Sequence, residues 1–129
     1  MGKHHRWIVA AVAFVGLFLP ASALAQPLNV IVQWNRILQT TVAGTPTPTV
    51  FFTRPYALTQ IAVFDALNSI EHRYEPYIIE LSAPANASRE AAIARAAHDV
   101  LVAIYPGQQS TLDTALASTL SGLTSGVIW

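Results

Sequence analysis

The chain has 129 residues, 53% of them hydrophobic and only 11% charged, with no cysteine and a formal net charge of zero. That length allows one domain at most, and the cysteine count excludes a disulfide scaffold and a thiolate metal site. The charge distribution excludes more: beyond residue 25 there is no lysine, and five arginines face seven acids. Nucleic-acid binding needs a basic face that displaces phosphate counterions, and polybasic membrane attachment needs the same, so both partner classes are excluded.

Residues 1–25 read as a signal peptide. Lys3 and Arg6 give the positive start, Trp7–Leu19 is an unbroken apolar run, and Pro20 breaks it. Ala23-Leu24-Ala25 supplies the small-x-small cleavage pattern, which would leave Gln26 as the mature N-terminus. Thirteen helical residues rise only about 20 Å, short of the roughly 30 Å hydrocarbon core, so a spanning anchor is the weaker reading. The expected location is secreted or periplasmic, with residues 26–129 as one helical domain and no membrane contact after cleavage.

The patterning after residue 25 predicts an all-α fold, a partial bundle of three to four helices. Leu28–Val42 reads as the first, with Trp34, Ile37, Leu38 and Val42 on one face and Gly44 at its end. Thr45–Thr49 alternates threonine with Pro46 and Pro48, an extended connector. Val50, Phe51 and Phe52 then read as a hydrophobic plug at the entry of the next helix, and a substrate-facing aromatic patch is the alternative. That helix, about 54–72, is apolar around most of its cylinder through Leu58, Ile61, Ala62, Val63, Phe64, Ala66, Leu67 and Ile70. Such a helix has to be wrapped by others, so it is the predicted centre of the bundle. Thr53 is its predicted cap, with Pro55 in the first turn.

Arg73–Pro84 forms a connector with a turn at Tyr74-Glu75-Pro76-Tyr77 and a short strand-like piece at 77–79. Ser88 is the predicted cap of a third helix, rich in alanine, and Pro106-Gly107 stops it. A fourth helix runs from about Gln108 to Ser121, with Leu112, Leu116 and Leu120 on a stripe and Gly122 as C-cap. The apolar ending 123–129 has the look of an unfinished bundle edge.

The polar residues Asp65, Asn68, Ser69 and His72 fall on one stripe of the central helix. Asp65 and His72 lie two turns apart, about 10 Å, whereas metal–ligand bonds are about 2 Å. A buried seam of mutual hydrogen bonds is therefore expected, and no metal. His98 and Asp99 are sequence neighbours pointing about 100° apart, so the expectation is that they do not pair with each other; His98 could meet His72 across the bundle. Asn86-Ala87-Ser88 matches a glycosylation acceptor, but Ser88 already has the capping role. No residue is assigned as catalytic, cofactor-binding or metal-ligating.

Five segments then carry a resemblance: Val32–Leu38, Phe51–Ala57, Ile61–Ile70, Tyr74–Tyr77 and Ala96–Pro106. In this order they resemble the N-terminal helical region of secreted vanadium-dependent haloperoxidase-like proteins, of the type 2 phosphatidic acid phosphatase superfamily. The resemblance implies an oxyanion pocket built from Lys-x6-Arg-Pro, Pro-Ser-Gly-His and Ser-Arg-x5-His-x3-Asp, further along a longer chain. Arg54-Pro55 matches the end of the first motif, but its lysine position holds Thr47. Ser121-Gly122 and Ser125-Gly126 are followed by Leu123 and Val127, not histidine. Ser88-Arg89 and Asp99 match the third motif, yet Arg95 stands at its histidine position.

The expectation is thus a truncated N-terminal portion of an exported haloperoxidase- or acid-phosphatase-like protein, lacking the vanadate or phosphate pocket and inactive alone. Vanadate or phosphate is implied only for a full-length relative, and this chain is expected to hold no cofactor. The alternative is a free-standing exported interaction or ligand-binding module that self-associates through its apolar helix faces. An enzyme using His72, His98 and the acids is a third reading, which leaves the enzyme question open.

Overall fold

The computed structural model describes residues 29–46, 48–78, 80–84 and 86–123. The predicted signal peptide and the apolar ending beyond Leu123 lie outside the described residues. Within them the fold is all-α: α1 (Val30–Ala43), α2 (Thr53–Glu71), α3 (Arg89–Ile104) and α4 (Gln109–Ser121), with single 3-10 turns at Thr49–Phe51 and Pro106–Gln108. No strand occurs among the described residues, so the apolar residues at 77–78 belong to an irregular connector.

Local chemistry accounts for most helix boundaries. The Asn29 side chain accepts the Ile31 amide at 2.9 Å and opens α1, and the Gly44 amide donates to Thr40 at its end. Ser88 opens α3 by accepting the Ala91 amide at 3.1 Å, and Glu90 sits in the first turn, where the helix dipole favours a negative charge. The start of α2 differs from the expected threonine cap: Thr53 is already helical, and Phe52 precedes it with no side-chain cap. The 3-10 turn leads into the helix in right-handed geometry, so no extended capping residue intervenes. The predicted plug is correspondingly reduced. Val50 and Phe51 are 74% and 59% exposed, and only Phe52 packs against the core.

The centre of the bundle is α3, which packs against α1, α2 and α4. Its Ala94, Ala97 and Leu101 are fully buried, and the alanines let neighbouring helices approach on several sides. From α1 come Trp34, Leu38 and Val42, and from α4 Leu112 and Leu116. The helix at 54–72 exists almost as bounded, but it lies at the edge of this core and sends it only Val63 as a buried member, with Leu67 half-buried. Its other buried positions are largely polar: Thr59, Asp65, Asn68 and Ser69. Apolar breadth around α2 therefore did not translate into encirclement.

Cross-links fix the arrangement. Gln60 donates to Asn35 at 2.7 Å between α2 and α1, Gln33 to Thr119 at 3.1 Å between α1 and α4, and Gln108 to the Thr41 carbonyl at 2.9 Å. Among the described residues no helix is long and apolar enough to cross a membrane.

Candidate functional site

The polar stripe of α2 is present, but apart from a His72–Asn68 contact its bonds run to the following connector rather than along the stripe. The Asp65 carboxylate, 7% exposed as a residue, accepts the Tyr77 amide at 2.6 Å and the Ile78 amide at 2.8 Å. Asn68 accepts from the Arg73 and Tyr74 amides at 3.1 and 2.9 Å and donates to the Tyr74 carbonyl at 2.6 Å. Ser69 contributes its carbonyl to the Ala83 amide at 2.9 Å. His72 closes the helix in the left-handed region with φ of 50°, and its ring meets the Asn68 carbonyl at 3.1 Å and the Ser82 hydroxyl at 3.2 Å. Residues 73–78 and 80–83 are thus laid back against the helix that precedes them. Amides facing a buried carboxylate make charge-assisted bonds, so Asp65 is the strongest pin. Both of its oxygens are engaged by backbone, which is the geometry of a structural clasp rather than of a general acid or base.

The second cluster overturns an expectation. His98 and Asp99 do pair: Nδ1 of His98 lies 2.7 Å from an Asp99 carboxylate oxygen. The helical offset separates only the Cα–Cβ directions, and the two side chains bend across it. Nε2 of the same ring lies 2.7 Å from Asp113 on α4, and Arg95 meets the other Asp99 oxygen at 3.0 Å. His98 does not meet His72: it stands edge-on to Trp34 of α1, with ring centroids 6.4 Å apart, whereas His72 faces Ser82. Both ring nitrogens face carboxylates, so the ring donates to both only when it carries both protons; the neutral ring has one N–H. With both positions taken and no hydroxyl nucleophile bonded to the ring, the cluster ties α3 to α4 and does not make an acid–base pair with a nucleophile. Among the described residues no group of three or more His, Asp or Glu side chains is placed to hold a metal ion.

The third feature is a cleft. Leu58, Ile61, Ala62 and Ala66 of α2 face Ala96, Val100, Ala103 and Ile104 of α3 across a slot of about 550 Å³, and Ile78 and Leu81 of the pinned connector close its end. Asp65 and Leu81 also line a second, polar cavity of about 460 Å³, together with Asn68, His72, Glu75, Glu80 and Ser82. Four carboxylates line the two parts, Asp65, Glu75, Glu80 and Asp99, with no arginine or lysine among the lining residues. Exposed aromatics stand beside it: Tyr74 and Tyr77 are 67% and 71% exposed, and Phe64 packs on Tyr74 with centroids 6.0 Å apart. Both walls are legible in the sequence as stripes at helical spacing. That they face each other, with no cover among the described residues, is not, because it depends on how α2 and α3 pair.

No family model matches the chain, and neither a curated protein nor a solved structure matches it.

Proposed function

We propose that the chain is the N-terminal helical portion of an exported haloperoxidase- or acid-phosphatase-like protein, a scaffold element without the vanadate or phosphate pocket and inactive alone. The observation that carries this reading is the α2–α3 slot: two aliphatic walls that a further helix of the same protein would cover. An oxyanion does not fit the residues present. The cleft is lined by carboxylates without arginine or lysine, and Arg73, Arg89 and Arg95 are engaged by Glu71 and Asp99. An oxyanion site needs the reverse balance of charge. The five segments quoted above add the family.

Mass spectrometry of the natural exported protein tests the proposal. The expected result is a polypeptide larger than this chain that contains all three pocket motifs. A leader-free product that stops at Trp129 and is a stable monomer would overturn it. The alternative, a free-standing exported module closed by self-association, draws on the exposure of Phe51, Tyr77, Ile78 and Leu81. It predicts a dimer by sedimentation that dissociates when Ala103 is replaced by arginine.

A further inference from the structure

We infer that the occupant of the α2–α3 slot is an α-helix with an aliphatic contact face and a lysine or arginine at the end lying over Asp65. This rests on the docking reading above and adds the chemistry of the partner. The slot is walled by side chains of two helices whose backbones are already hydrogen-bonded internally. An extended segment laid there would bury N–H and C=O groups against aliphatic carbon, whereas a helix satisfies its own. From Leu58 to Ala66 the wall runs eight residues, roughly 12 Å, so two to three turns of a partner cover it. The small side chains Ala62, Ala66, Ala96 and Ala103 let that partner approach closely, as in helix pairs elsewhere.

Charge sets the end chemistry. Glu75 and Glu80 line the adjoining cavity that shares Asp65 and Leu81 with the slot, and Asp99 stands on the α3 wall. Asp65 and Asp99 are held by groups of this chain, while neither Glu75 nor Glu80 enters an ion pair among the described residues.

Three peptides of about 16 residues provide the probe, sharing one leucine–alanine face and differing at one end by paired lysine, glutamine or glutamate. Fluorescence anisotropy against the full chain is expected to rank them lysine, glutamine, glutamate, with about three- to tenfold between neighbours. The ranking should collapse in half-molar salt and in the Glu75→Gln/Glu80→Gln variant. Ala103→Trp fills the slot from an exposed position, keeps the circular dichroism spectrum, and is expected to abolish binding of all three. Equal binding of the three peptides, lost in Ala103→Trp, would overturn the inferred charge and leave the docking reading standing. Absence of binding, or binding that survives Ala103→Trp, would overturn both.

Discussion

The two sides of α3 make the sharpest contrast in the molecule. Toward α1 and α4 it presents Ala94, Ala97 and Leu101, all fully buried against Trp34, Leu38 and Leu112. Toward the slot it presents Ala96, Val100 and Ala103, which are half-buried or exposed. The residue types on the two sides are nearly the same. Composition of a helix face therefore sets what the face can do, and the neighbouring elements decide whether it is core or interface.

The largest test of that contrast pairs Leu101→Ala with Val100→Ala. On the closed side the loss should be about 2–5 kcal/mol, read by urea denaturation. On the open side it should be under about 1 kcal/mol, because a half-exposed methyl pair loses little burial and leaves no sealed cavity. Equal costs would mean that the slot is not open in solution.

Asp65→Ala comes next. It removes the acceptor of two connector amides, and the expected loss is about 1–3 kcal/mol, with faster hydrogen exchange at Tyr77 and Ile78. Unchanged exchange at those amides would show that the connector is held without the clasp. Ser88→Ala should cost about 1 kcal/mol through the lost cap of α3, a change confined to helix onset and equal in its effect on both faces of α3. Smallest is Glu71→Gln. Its partners Arg73 and Arg89 have side chains 67% and 58% exposed, so the expected cost is below about 1 kcal/mol and should vanish in high salt.

Much of the fold was legible in the sequence because its punctuation is chemical and local. Gly44, Ser88, Pro106-Gly107 and Gly122 each mark a boundary found within a residue or two. The centre of the bundle was not legible. Breadth of apolar surface pointed to α2, whereas α3 holds the centre because its alanines are small, a property of fit between helices. The His98–Asp113 contact bridges residues 15 apart on two helices, and only the antiparallel return of α4 brings them together. His98–Asp99 was misjudged for a different reason: helical offset constrains Cβ directions, not the reach of side chains. The clasp at Asp65 and Asn68 was half legible. A polar stripe on an apolar helix demanded partners, but the backbone amides that supply them carry no sequence signature.

The alanines of α3 have one more consequence. Alanine has no rotamers to freeze, so at Ala91, Ala94 and Ala97 the most crowded stretch of the chain is ordered without loss of side-chain conformational entropy. Truncation to glycine at these positions costs mainly backbone entropy, about 1 kcal/mol, whereas enlargement meets packed neighbours. An added ethyl group at Ala94 or Ala97, both fully buried, forces neighbouring side chains and backbone to shift, at about 1–3 kcal/mol.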